Sequence, residues 1–99
     1  MKIWGSIEKK IEAYLGKEVK KLHGLSLKLV TIHFLGLPDR LVLLPKATLF
    51  FAEIKDTGVK PDKIQLKVHD LIRRLGFTVY VIDTIKQVDD ILNEYRQTT

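Results

Sequence analysis

A chain of 99 residues, 45% hydrophobic and 29% charged, is long enough for one core and too rich in apolar side chains for disorder. It has no cysteine, which excludes disulfide staples, thiolate zinc sites and thiol catalysis and fits a reducing cytoplasm. Its net charge is +5, carried mainly by residues 1–34 and 60–74, a distribution that suits a polyanionic partner as well as a plain lysine-rich surface.

Residues 7–22 read as a helix, with Ile7, Ile11, Leu15, Val19 and Leu22 at helical spacing. Ser6 is the expected N-cap, Glu8 suits the positive end of the dipole, and Gly24 closes the helix. Glu18 falls within the apolar sector, so it should either sit at a rim or pair across an oligomer interface. Residues 25–32 begin with alternating apolar and polar side chains, the pattern of a half-buried strand. A connector punctuated by Gly36 and Pro38 leads to a second strand at 39–44. A turn at 45–47 then leads to a third at 48–55, and the two should form an antiparallel hairpin. Their nearly continuous apolar character predicts burial on both faces.

A loop at 56–61 precedes a helix started by Asp62, whose spacing to Gln65 is that of a capping box. Ile64, Val68, Leu71, Ile72 and Leu75 form its apolar stripe and Gly76 ends it. A strand at 77–82 follows after a one-residue turn, as a crossover to a parallel neighbour would. Residues 85–95 make a last helix. The order α-β-β-β-α-β-α contains no repeat and no linker, so one domain over 1–99 is expected. The apolar runs at 41–44 and 49–52 are too short to span a bilayer, and the lysine-bearing N-terminus has no secretory apolar block.

Polar residues interrupt the hairpin in one place. Asp39 opens the second strand, and Glu53 and Lys55 close the third, on one face by the two-residue period. Antiparallel pairing puts the start of one strand beside the end of the other, so two carboxylates and an amine should converge at a sheet edge. Two unpaired buried carboxylates repel and desolvate at a cost of several kcal/mol. A hard divalent cation such as Mg²⁺ would relieve this. The plainer alternative is a surface ion pair between Glu53 and Lys55, with Asp39 capping a turn.

Asp39, a 13-residue gap, then Glu53-Ile54-Lys55 is the PD-(D/E)XK nuclease pattern. The chain from Ile7 to Leu92 resembles more closely a stand-alone VRR-NUC domain (virus-type replication-repair nuclease) of phage or bacterial type. The likeness rests on Ile11-Glu12-Ala13-Tyr14-Leu15, Lys28, Leu-Pro-Asp-Arg-Leu-Val-Leu-Leu-Pro at 37–45, Phe-Ala-Glu-Ile-Lys at 51–55, Gln65, and Gly-Phe-Thr-Val-Tyr-Val at 76–81. It departs where Val59-Lys60-Pro61-Asp62 stands in place of the Ser or Thr cap common in relatives, a job that Asp62 can do.

The resemblance implies an α/β, restriction-endonuclease-like αβββαβ(α) core, a small mixed sheet flanked by helices. It implies a metal-dependent DNA endonuclease that hydrolyses phosphodiester bonds. Such an enzyme would select branched DNA in the manner of a Holliday-junction resolvase, working in the cytoplasm of a bacterial or phage-infected cell. The alternative is a DNA-binding module that keeps the fold without the cleavage.

On this reading Asp39, Glu53 and the Ile54 carbonyl ligate Mg²⁺, with Mn²⁺ able to substitute. Lys55 orients the attacking water and Gln65 stands near the site, touching Lys55 or the phosphate. A first-helix glutamate joins them. The Glu12-to-Lys28 spacing resembles archaeal junction resolvases, whereas helical projection sets Glu8 nearer the apolar stripe. Lys28, Lys63, Lys67, His69 and Arg74 are the candidate DNA contacts, each with an ordinary solvated alternative. Symmetric incision of a four-way junction would suit a homodimer, with Ile3, Trp4, Phe34 and Leu37 as candidate interface residues.

Overall fold

The computed structural model describes residues 6–96. Helix α1 (Ile7–Lys21) begins at Ser6, whose Oγ accepts from the Lys9 amide at 3.2 Å. It ends with His23 in the left-handed region at φ 66, so His23, not Gly24, makes the turn. Gly24 is needed for a different reason: a Cβ there would lie 2.4 Å from the Leu43 carbonyl. Strand β1 (Leu25–Lys28) is half the expected length. It pairs antiparallel with β2 (Arg40–Leu44), Lys28 opposite Arg40. Strand β3 (Thr48–Ile54) returns antiparallel to β2, Leu44 opposite Thr48 and Arg40 opposite Ala52.

Helix α2 (Lys63–Arg74) carries the full capping box: the Gln65 amide donates to Asp62 Oδ1 at 2.9 Å, and the Asp62 amide donates to Gln65 Oε1 at 3.0 Å. Gly76, at φ 98, turns the chain out of it. Strand β4 (Val79–Ile82) lies parallel to β3, Glu53 opposite Val81, the pairing that a strand-helix-strand crossover produces. Helix α3 (Ile85–Arg96) completes the order, and the sheet reads β1-β2-β3-β4.

The sheet has one dry face. Val42, Leu44, Phe50, Ala52, Ile54 and Ile82 point into a core closed by Ile11, Leu15 and Val19 of α1 and by Val88 and Leu92 of α3. Phe50 is stacked on Tyr95 at 5.4 Å and meets the edge of Tyr80 at 5.1 Å. Glu18 is buried, and its partners are intramolecular: Arg96 at 3.1 Å and Lys21 at 3.0 Å. Those bonds account for a charge in the apolar sector without an oligomer interface.

The expected burial of both faces holds only in part. Phe50, Ala52 and Ile54 are buried, whereas Leu49 and Phe51 on the other face are half-buried. Helix α2 covers that second face chiefly beside β4, where Arg73 donates to the Val79 carbonyl at 2.7 Å. Leu25 and Leu27 of the edge strand stay exposed. Glu53 shares this second face with Phe51, so it enters the space beneath α2.

Candidate active site

Strand β2 stops pairing with β3 at Arg40, and the Asp39 side chain continues the ladder: Asp39 Oδ2 accepts the Ile54 amide at 2.9 Å. The register carries Asp39 to the position opposite Glu53. One chain segment thereby both closes the strand end and presents a carboxylate beside a second one. The connector that leads into it is tied at its base, where the Leu29 amide donates to the Asp39 carbonyl at 2.7 Å. Gly36 presses against α2 so closely that a Cβ would stand 2.7 Å from the Ile64 side chain.

Glu53 is 1% exposed. Its Oε2 accepts from Gln65 Nε2 at 3.1 Å and lies 3.9 Å from Lys55 Nζ, while its Oε1 is 3.2 Å from His69 Nε2. Burial pushes the Glu53 carboxyl up to about 8, and the neighbouring Asp39 charge pushes the same way. The sheet edge thus holds two carboxylates that resist being charged together, with an ammonium alongside. That is the electrostatic demand a hard cation meets, and the donors are all oxygens. Among the described residues no group of three or more His, Cys, Asp or Glu side chains is drawn together for a metal. An ion held by Asp39 and Glu53 would complete its shell with backbone, water or substrate oxygens, the habit of Mg²⁺.

The two first-helix glutamates part company. Glu12 lies toward the dry face, 3.8 Å from Arg40, whose side chain shares the face of Ala52. Glu8 overhangs the sheet end. Its carboxyl is raised by burial first and then by the charges of Asp39, Asp56 and Glu12, with Lys55 acting in the opposite sense. Glu8 therefore feels the carboxylate cluster, although neither glutamate joins it as a third close ligand. Asp56 was not singled out by any spacing. It accepts the Glu8 amide at 2.7 Å and so moors the first turn of α1 to the end of β3. Its position directly after Lys55 was the one available hint.

Gln65 closes the capping box with its oxygen as expected, while its nitrogen reaches Glu53 rather than the expected Lys55 or phosphate. His69 corrects the reading as a DNA contact: its imidazole is completely buried and cannot meet a phosphate on the surface. One helical turn beyond Gln65, it points inward at Glu53. Lys28, Lys63, Lys67 and Arg74 are exposed. Lys28 ends the edge strand next to the site, and Arg74 is paired with Asp70 at 2.6 Å. Phe34 is 52% exposed and Leu37 half-buried. Ile3 and Trp4 lie outside the described residues. A cavity of about 330 Å³, lined by Lys21, Leu44, Thr48 and Tyr95 among others, opens at the hairpin end of the sheet, away from these carboxylates.

No family model matches the sequence. A protein of Acyrthosiphon pisum secondary endosymbiont phage 1, named "Putative nuclease p44", is 42% identical over 77 residues, 78% of this chain and 83% of the relative. A solved structure described as a VRR_NUC domain superposes with a TM-score of 0.86 at 36% identity, covering 92% of this chain and 99% of the other. This chain belongs to the VRR-NUC family. The αβββαβα order and mixed sheet are those of its nuclease-like fold. In this VRR-NUC domain the Asp39, Glu53 and Lys55 set stands at the open end of β2 and β3. Among the described residues no helix is long and apolar enough to cross a membrane.

Proposed function

We propose that this VRR-NUC domain is a metal-dependent DNA endonuclease that hydrolyses phosphodiester bonds and selects branched DNA by shape. The observation that carries the reading is the meeting of Asp39, a buried Glu53 and Lys55 at one sheet edge. Mg²⁺, or Mn²⁺ in its place, would be held by Asp39, Glu53 and the Ile54 carbonyl, with Glu8 nearer than Glu12 as a further carboxylate around the site. When bound, the cation supplies Lewis acidity, polarising the scissile phosphate and lowering the pKa of water. Lys55 orients the attacking water and offsets negative charge growing at phosphorus. Gln65 keeps Glu53 turned toward the site, its own amide fixed by the Asp62 amide.

Branched DNA and a homodimer fit together, because paired incisions need two active sites related by a twofold axis. Exposed Leu25 and Leu27 on the open sheet face, with Val30, Ile32, Phe34 and Leu35 in the connector, offer apolar surface for a second copy. A cytoplasmic site of action, in a bacterial or phage-infected cell, fits a cysteine-free DNA enzyme. The deciding experiment incubates the protein with labelled four-way, flap and linear duplex DNA, with Mg²⁺ or with EDTA. Cutting of branched substrates only with Mg²⁺ is expected. Binding without any cutting would leave a DNA-binding module, and equal cutting of linear duplex would remove the shape selectivity.

Lys63 and Lys67 stand one turn apart on the exposed side of α2, with Arg74 on the same flank. Replacing both lysines by alanine is expected to weaken DNA binding and to lower the salt-dependence slope by roughly 2, one per lost phosphate contact. Binding titrations from low to high salt measure it, and an unchanged slope would place the phosphate contacts elsewhere.

A further inference from the structure

We propose that His69 is a positioning residue which, with Gln65, clamps both oxygens of Glu53 and fixes the direction in which this carboxylate faces its cation. The inference rests on the reading of Asp39 and Glu53 as the cation site.

The geometry is specific. Gln65 and His69 are four residues apart on α2, and side chains at that spacing stand one above the other on a helix. Gln65 Nε2 takes Glu53 Oε2 at 3.1 Å and His69 Nε2 meets Glu53 Oε1 at 3.2 Å. One helix face thus offers one nitrogen to each oxygen of the same carboxylate. The orientation of the Gln65 amide is determined by its other end, where the Asp62 amide donates to Oε1; the NH₂ group must face Glu53. Asp62 therefore acts at a distance, through the capping box, on the direction of a buried carboxylate.

Among the described residues His69 has no comparable second anchor: its imidazole is fully buried and its Nδ1 finds no hydrogen-bond partner there. Glu53 is thus the polar contact that accounts for an imidazole in this position. An apolar side chain would fill the space without leaving a buried nitrogen unpaired, so packing alone does not explain the ring. Opposed donors stop the carboxylate from rotating about its terminal bond. A carboxylate held by two outer donors is pre-oriented for a metal in the way that partners behind a ligand generally tune affinity. Lys55, 3.9 Å away and partly exposed, is too loose to do this.

The test compares His69→Gln, which keeps an N–H donor near the position of Nε2, with His69→Met, which has nearly the same shape and no donor. Mn²⁺ is titrated onto each full-length protein without DNA and followed by electron paramagnetic resonance. Cleavage of branched DNA is measured at saturating substrate, and thermal unfolding is recorded alongside. The Met variant is expected to bind Mn²⁺ about 10- to 100-fold more weakly and to lose turnover rather than DNA affinity. The Gln variant should stay much closer to the wild type, at a melting temperature similar to that of the Met variant. Wild-type Mn²⁺ binding in the Met variant, or equal losses in both variants, would overturn the proposal. If either variant fails to fold, nitrogen NMR of the wild-type protein saturated with Mg²⁺ decides. A His69 ring protonated at Nε2 is expected, and one protonated at Nδ1 could not donate to Glu53 and would overturn it. A wild-type protein that neither binds Mn²⁺ nor cuts DNA would refute the metal reading itself, and this inference with it. Normal wild-type behaviour retained in the Met variant would refute this inference alone.

Discussion

Asp39→Asn is expected to leave a folded, DNA-binding protein whose cleavage rate is lower by on the order of 10³-fold or more, the scale of losing a principal electrostatic element of a site. The asparagine oxygen can still accept the Ile54 amide that Asp39 Oδ2 accepts at 2.9 Å, so the join between β2 and β3 survives. The negative charge does not. Asp39→Ala removes charge and acceptor together. It strands the amide of Ile54, a residue 1% exposed, at a cost of about 1–3 kcal/mol. Alanine should therefore show a loss of cleavage plus a loss of stability, and asparagine the first without the second. DNA binding should persist in both, because Lys28, Lys63 and Lys67 carry the phosphate contacts in this reading. Single-turnover cleavage, urea unfolding and binding without metal separate the three effects. Near-normal cutting by the asparagine variant would remove Asp39 from the mechanism.

Acidity provides the second large effect. Burial, reinforced by Asp39, pushes the Glu53 carboxyl from an ordinary 4.5 up to about 8. Below about pH 8 the cation-free site therefore holds a proton that a cation must displace. Mg²⁺ or Mn²⁺ affinity should rise by about tenfold per pH unit up to about pH 8 and level off above it. Stability of the cation-free protein moves in the opposite direction. Between about 4.5 and 8 the folded chain retains a proton that the unfolded chain has lost, so rising pH favours unfolding. His69 has the reverse sign: burial, and then the Arg73 charge, lower its pKa from 6.5, and its contribution strengthens folding as pH rises toward 6.5. Above 6.5 the histidine contribution fades, because the unfolded ring loses its proton as well, and up to about 8 Glu53 dominates the pair. Urea midpoints in EDTA should fall over that window, Mg²⁺ should abolish the fall, and Glu53→Gln should flatten it. A wild-type midpoint that stays constant in EDTA would contradict the buried, proton-holding Glu53.

Much of the architecture is legible in the sequence. Local rules carry it: Ser6 and Asp62 are caps, Gly76 is a left-handed stop, and the apolar periods match α1 and β3, whereas of the α2 stripe Val68 is buried and Ile64, Leu71 and Leu75 stay exposed. The structure departs from local pattern where strand length or tertiary cover decides. Strand β1 stops at Lys28, because the connector that follows it is drawn toward Asp39 and α2 instead of continuing beside β2. The near-continuous apolar run of β3 looked buried on both sides. A run of apolar residues cannot reveal that α1 and α3 cover one face fully and α2 covers only part of the other.

The sequence by itself determined the element order, the two caps, and the nearness of Asp39, Glu53 and Lys55. A two-residue period and an antiparallel hairpin leave few other ways to arrange those residues. Which way α2 faces, and therefore that His69 turns inward to Glu53 while Lys63 and Lys67 turn outward, depended on how that helix docks over β3 and β4. The same held for Glu8 and Glu12: both lie on the helix flank, and only the crossing of α1 over the sheet end sends one toward Asp39 and the other to Arg40. Glu18, unexplained as a charge in an apolar sector, found Arg96 78 residues away. Spacing along the chain reports neighbours on one element; contacts between elements depend on packing angles that no local pattern encodes.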